Sequence, residues 1–137
     1  MGMTTMILRA GVPLPFPPYI RRVLSAFNLA PTQLVPNAWR VIMGLWVLWR
    51  KLGFSEPSIT EIQDLFYIQP IAKNVGWDFL SSVRGRAFFR GQKKTNHAWK
   101  KLFFLLDGKW EFEDNDPKPD IRVLRNYCPA CRRRYHL

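Results

Sequence analysis

The sequence predicts an α+β fold, with an N-terminal three-helix unit followed by a small antiparallel sheet of about four strands. Two observations carry this prediction. Up to Ile68 the apolar residues recur at helical spacing; beyond Pro70 they alternate in short runs broken by turn residues. A third observation bounds it: 137 residues make one ordinary domain with a core of its own.

The stretch VPLPFPPYIRRVLSAFNL opens the first helix with a rigid lead-in, Pro13, Pro15, Pro17 and Pro18. Proline is tolerated in a first helical turn, where its missing N–H would have had no partner. Ile20, Val23, Leu24 and Phe27 then follow i, i+3, i+4, i+7 and make one apolar stripe. Residues 1–12 are read as a flexible N-terminus, and residues 13–113 as a single domain.

The second helix is NAWRVIMGLWVLWRKLG, with Asn37 as its cap and Gly53 as its stop. Trp39, Ile42, Trp46 and Trp49 lie along one side, and Val41, Leu45, Leu48 and Leu52 along another. Arg40, Gly44 and Lys51 leave only a thin polar strip, interrupted by Val47. A helix so apolar predicts the central core helix. In SEPSITEIQDLFYI, Ser58 and Glu61 have the spacing of a capping box, and Ile59, Ile62, Leu65 and Phe66 form the stripe of a third helix.

GWDFLSSV and RAFFR read as strands, with a turn at Arg84 and Gly85 between them. NHAWKKLFFLLDGKWEF reads as a hairpin, because Asp107 and Gly108 suit a type I′ turn in which both central residues take positive φ. Phe103, Leu105, Trp110 and Phe112 then share a core face, which argues against a platform for stacking bases. Leu102, Phe104 and Leu106 lie opposite Glu113, Glu111 and Lys109, a half-apolar face and a candidate interaction surface.

The net charge of +11 is the outstanding bulk property, and it favours acidic partners, nucleic acid first. It is unevenly spread. Arg84, Arg86, Arg90, Lys93, Lys94, Lys100 and Lys101 crowd one segment, and Arg132, Arg133 and Arg134 close the chain. Between them lie Glu111, Glu113, Asp114, Asp116 and Asp120, so residues 114–137 read as a poorly ordered tail, acidic and then basic. These cations are the candidate phosphate contacts, and with no helix-turn-helix or RNA-recognition signature the binding would be non-specific, to DNA or RNA.

Catalysis is not expected. Metal-dependent nucleases need converging carboxylates; Asp78 and Asp107 fall near strands, but the turn uses Asp107. No glycine loop has the spacing to cradle phosphates, so neither a cofactor nor a small-molecule substrate is expected. Cys128, Cys131 and His136, with His97 as the only other histidine, offer part of a zinc site, but a lone Cys-x-x-Cys is a weak signal. The expectation is no bound metal. Two cysteines make no disulfide framework, no secretory signal is visible, and the apolar run at residues 41–49 is too short to span a bilayer. An intracellular chain without a membrane partner is expected, with nucleus or cytoplasm left open.

Several stretches together resemble a known family. The proline-led first helix, Gln33-Leu34 with Pro36-Asn37 and Trp39-Arg40, Gly76-Trp77, and Trp99-Lys100 with Phe103-Phe104 are similar to the plant gypsy-type transposon domain, over roughly residues 12–112. Ala98 stands where that pattern has glycine, and the tail from Asn115 has no counterpart. The resemblance implies an origin in a plant retroelement and brings no catalytic residues with it. Three roles stay open: non-specific nucleic-acid association, a capsid-like or scaffolding module that self-associates, and an inert fragment of a longer reading frame.

Overall fold

Proline and glycine mark several of the helix ends. A computed structural model describes residues 2–70, 77–86, 88–90, 99 and 101–105. Its elements are β1 (Gly2–Thr4), α1 (Met6–Arg9), α2 (Pro18–Ala26), a 3-10 turn (Pro31–Gln33), α3 (Pro36–Lys51), α4 (Ile59–Leu65), β2 (Phe66–Pro70), β3 (Asp78–Ser82) and β4 (Phe103–Leu105). The protein is therefore mixed helix and strand, as the periodicity predicts.

Helix α2 starts at Pro18 and buries Ile20, Val23 and Leu24 from the predicted stripe, together with Tyr19. The Tyr19 hydroxyl donates to the carbonyl of Ile42 at 3.0 Å inside the core, and its ring lies 5.4 Å from that of Trp46. Phe16 reaches Trp39 at 6.0 Å. Thus the proline-led segment and α2 cover the first half of α3, where Trp39 and Leu45 are fully buried.

The start of α3 differs from expectation. Val35 holds the cap position and Pro36 the first helical turn, so Asn37 is not the cap; its side-chain Oδ1 accepts from Arg40 Nη1 at 2.9 Å. Proline's fixed φ suits the first helical position and makes a side-chain cap there unnecessary. The end agrees. Gly53 takes φ +90°, its N–H donates to the Arg50 carbonyl at 3.1 Å, and that of Phe54 to the Trp49 carbonyl at 2.9 Å. This is the Schellman arrangement, which glycine permits because it has no Cβ to clash.

At α4 the capping box forms: the Glu61 N–H donates to Ser58 Oγ at 3.2 Å, and the Ser58 N–H to Glu61 Oε2 at 2.7 Å. Loss of such a cap costs about 1 kcal/mol. The helix is shorter than its stripe suggests. Phe66 leaves it as the first residue of β2, which pairs antiparallel with β3 from Phe66 opposite Ser82 to Pro70 opposite Asp78.

Two further expectations are corrected. Residues 2–12 are not a flexible N-terminus: Met3 and Ile7 are fully buried, and β1 pairs antiparallel with β4, setting Met3 opposite Phe104. The buried side chains of Met3, Ile7 and Val12 give this short segment apolar surface that holds it against the core. Nor do the described residues form one four-stranded sheet. Among the described residues the strands form two separate pairs, β1 with β4 and β2 with β3. Residues 88–90 of RAFFR are not in a strand; their rings pack on α3 and β2 instead. The predicted hairpin beyond Leu105 lies outside the described residues.

Several of the described motif residues meet in space. Gln33 is buried and accepts the Ala30 N–H at 2.7 Å. Leu34 bridges Asp78, whose carbonyl accepts the Val35 N–H at 3.0 Å. Trp77 meets Trp99 edge-to-face at 4.5 Å. These residues hold the two halves of the chain together, so their chemistry is that of packing.

Candidate nucleic-acid interface

The candidate cations divide into two places. Arg84 and Arg86 occupy the turn that ends β3, where Gly85 takes φ +79° and the Arg86 N–H returns to the Val83 carbonyl at 2.9 Å. The Arg86 guanidinium is steered by a bond from Nη1 to the backbone carbonyl of Asp64 at 3.0 Å. Arg90 follows shortly after. Lys101 lies at the other end of β3, two residues past the Trp99 that packs on Trp77; seven residues of extended chain separate the two ends by about 20 Å. All four side chains are exposed. Lys93, Lys94, Lys100, Arg132, Arg133 and Arg134 lie outside the described residues.

Among the described residues, little negative charge opposes them. The described residues include four acids, Glu56, Glu61, Asp64 and Asp78. Asp78 is fully buried, and Glu56 forms an ion pair with Arg22. The Glu61 carboxyl is held below its usual value first by the Ser58 backbone N–H, then by the Ser58 hydroxyl, and further by the Trp49 indole. It is thus ionised and engaged at the α4 cap. Only Asp64 has no such role in view.

Of the predicted interaction residues, Leu102 is exposed while Phe104 is half-buried against the core. Leu106 lies outside the described residues, as do His97, Cys128, Cys131 and His136. Among the described residues no group of three or more His, Cys, Asp or Glu side chains could hold a metal ion, and no helix is long and apolar enough to cross a membrane.

The sequence reading missed an apolar area at the end of α3. Val47 is 50% exposed, Leu52 61%, Phe54 62% and Phe88 40%. Phe88 lies 6.0 Å from Trp49, and exposed Arg50 and Lys51 sit on the same last turn. The signal was present in WRKLGF and RAFFR, where aromatic and basic residues alternate within a few positions. Among known proteins, no family model, no curated protein and no solved structure matches this chain.

Proposed function

We propose that this chain is a non-catalytic domain of plant retroelement origin that associates with nucleic acid by contacting phosphates, without reading base sequence. The observation that supports this most is the exposed positive charge: Arg84, Arg86, Arg90 and Lys101 all face solvent, while the acids among the described residues are mostly buried or engaged elsewhere. Exposed guanidinium and ammonium groups displace condensed counterions from a phosphate backbone, which makes such binding salt-sensitive. The origin rests on the resemblance of the proline-led helix and the tryptophan motifs to the transposon domain.

Fluorescence anisotropy with short DNA and RNA tests it. If four phosphates are neutralised, affinity for duplex falls about a hundredfold between about 50 and about 200 mM salt. Replacing Arg84, Arg86 and Arg90 by glutamine weakens binding and flattens that dependence. Absence of binding at low salt overturns the reading.

A second reading is a module that self-associates, and the exposed apolar end of α3 favours it. Sedimentation over a range of protein concentration separates the two, since assembly of this kind needs no nucleic acid.

A further inference from the structure

We propose that the last turn of α3 and the segment after β3 form a stacking platform for single-stranded nucleic acid. This rests on the nucleic-acid reading above and adds to it a site and a substrate class.

Two aromatic rings, Trp49 and Phe88, meet at this turn, and exposed Phe54 follows two residues after its C-cap, Leu52. The Schellman bonds fold the backbone back so that the Phe54 N–H meets the Trp49 carbonyl, and the Phe54 side chain is 62% exposed there. Phe88 is placed by its neighbour. The Phe89 ring sits against Gly44, where a Cβ would lie 3.1 Å from it, and stacks on Phe66 at 6.2 Å. With Phe89 anchored inward, Phe88 stands perpendicular to it at 5.6 Å and turns a partly exposed ring outward beside Trp49. The rings are therefore presented on packed structure.

The surround is basic. Arg50 and Lys51 extend from the same turn, Arg84 and Arg86 from the end of β3, and Arg90 lies two residues beyond Phe88; all are exposed. Among the described residues, Glu61, engaged with Ser58 at the α4 cap, and Asp64, whose backbone carbonyl holds Arg86, set two carboxylates against these five cations. Cations at a helix C-terminus also complement its dipole, which accounts for Arg50 and Lys51 but not for rings left open to water. A phosphate backbone tracking the cations would set its bases on those rings. Base faces are free for this in a single strand and occupied in a duplex.

The test compares the full chain with Phe54→Ala, Phe88→Ala and Phe88→Tyr, using a fluorescent oligothymidylate and a duplex of equal length. The single strand should bind more tightly. Each alanine should weaken it roughly tenfold, with duplex affinity and salt dependence unchanged, while Phe88→Tyr binds normally. Thermal melting confirms that these surface variants stay folded. If both alanine variants bind the single strand as well as the parent, and replacing Arg84, Arg86 and Arg90 by glutamine abolishes binding, the platform is overturned and phosphate association stands. If the parent binds neither oligonucleotide at low salt, both fall. Loss of concentration-dependent assembly in Phe54→Ala would then assign the face to a second copy of the chain.

Discussion

The two halves of α3 are equally apolar in composition and differ in what surrounds them. Over residues 36–45, Ala38, Trp39 and Leu45 are sealed beneath the rings of the proline-led segment and α2. Past Trp46, Val47 and Leu52 stand at least half in solvent, and among the described residues Phe88 and Phe89 give cover on one side. An apolar sequence states how much surface favours burial; whether it is buried depends on what the rest of the chain brings to it. The first half of the helix is core. The second half is a surface with core composition, and such surfaces mark sites of contact.

The most direct way to break this comparison is to truncate one residue in each half. Trp39→Ala should cost about 3–5 kcal/mol by leaving a cavity under Phe16, a large share of the roughly 5–15 kcal/mol that holds a domain together. Leu52→Ala should stay within about 0.5 kcal/mol. Urea titration of both variants measures the contrast, and equal losses would mean that the end of α3 is covered in solution.

A somewhat smaller effect tests how far the core extends. Met3 is fully buried opposite Phe104, so Met3→Ala should cost about 2–5 kcal/mol. A truly loose N-terminus would show no change in the urea midpoint.

Next comes Tyr19, which joins α2 to the sealed half. Burial pushes its phenol well above the ordinary value, so the folded state keeps the proton that the unfolded chain gives up near pH 10. Stability is then complete below about pH 10 and declines as pH rises beyond it. Tyr19→Phe should lose about 0.5–1.5 kcal/mol at neutral pH with the hydrogen bond to Ile42 and should flatten that alkaline decline. Chemical denaturation at neutral and alkaline pH measures both effects.

How much of this was legible follows the range of the interactions. The stripe of α2, the stop at Gly53, the Ser58–Glu61 box and the turn at Gly85 are written within a few residues, and each forms. Phe66 extends the helical stripe of α4 but enters a strand, because its partner Ser82 lies sixteen residues on. Strand β1 has only three residues, too few for a period to show, and its pairing with β4 spans about a hundred positions. At the candidate site, exposed arginines could be read from their turn-rich setting. The exposure of Leu52, Phe54 and Phe88 could not, because it depends on cover that no local pattern records.

The smallest change probes the seam between the two halves. Gly44 lies mid-helix on the strip that composition marks as polar, yet a Cβ there would meet the Phe89 ring at 3.1 and 3.3 Å. Alanine at a helix interior gains up to about 1 kcal/mol over glycine, and the ring must yield by a few tenths of an ångström to accept it. Phe89 is itself held by Phe66 on the far side, so the contact offsets much of the helical gain, and Gly44→Ala should change stability by less than about 1 kcal/mol. Gly44→Leu gains similarly from helix propensity but cannot be accommodated, so it should displace Phe89 and move Phe88 with it. A domain of normal melting temperature whose single-strand affinity drops in Gly44→Leu would show that the notch in α3 positions the exposed rings. Unchanged affinity in that variant would mean that Phe88 keeps its place without Phe89 beneath it.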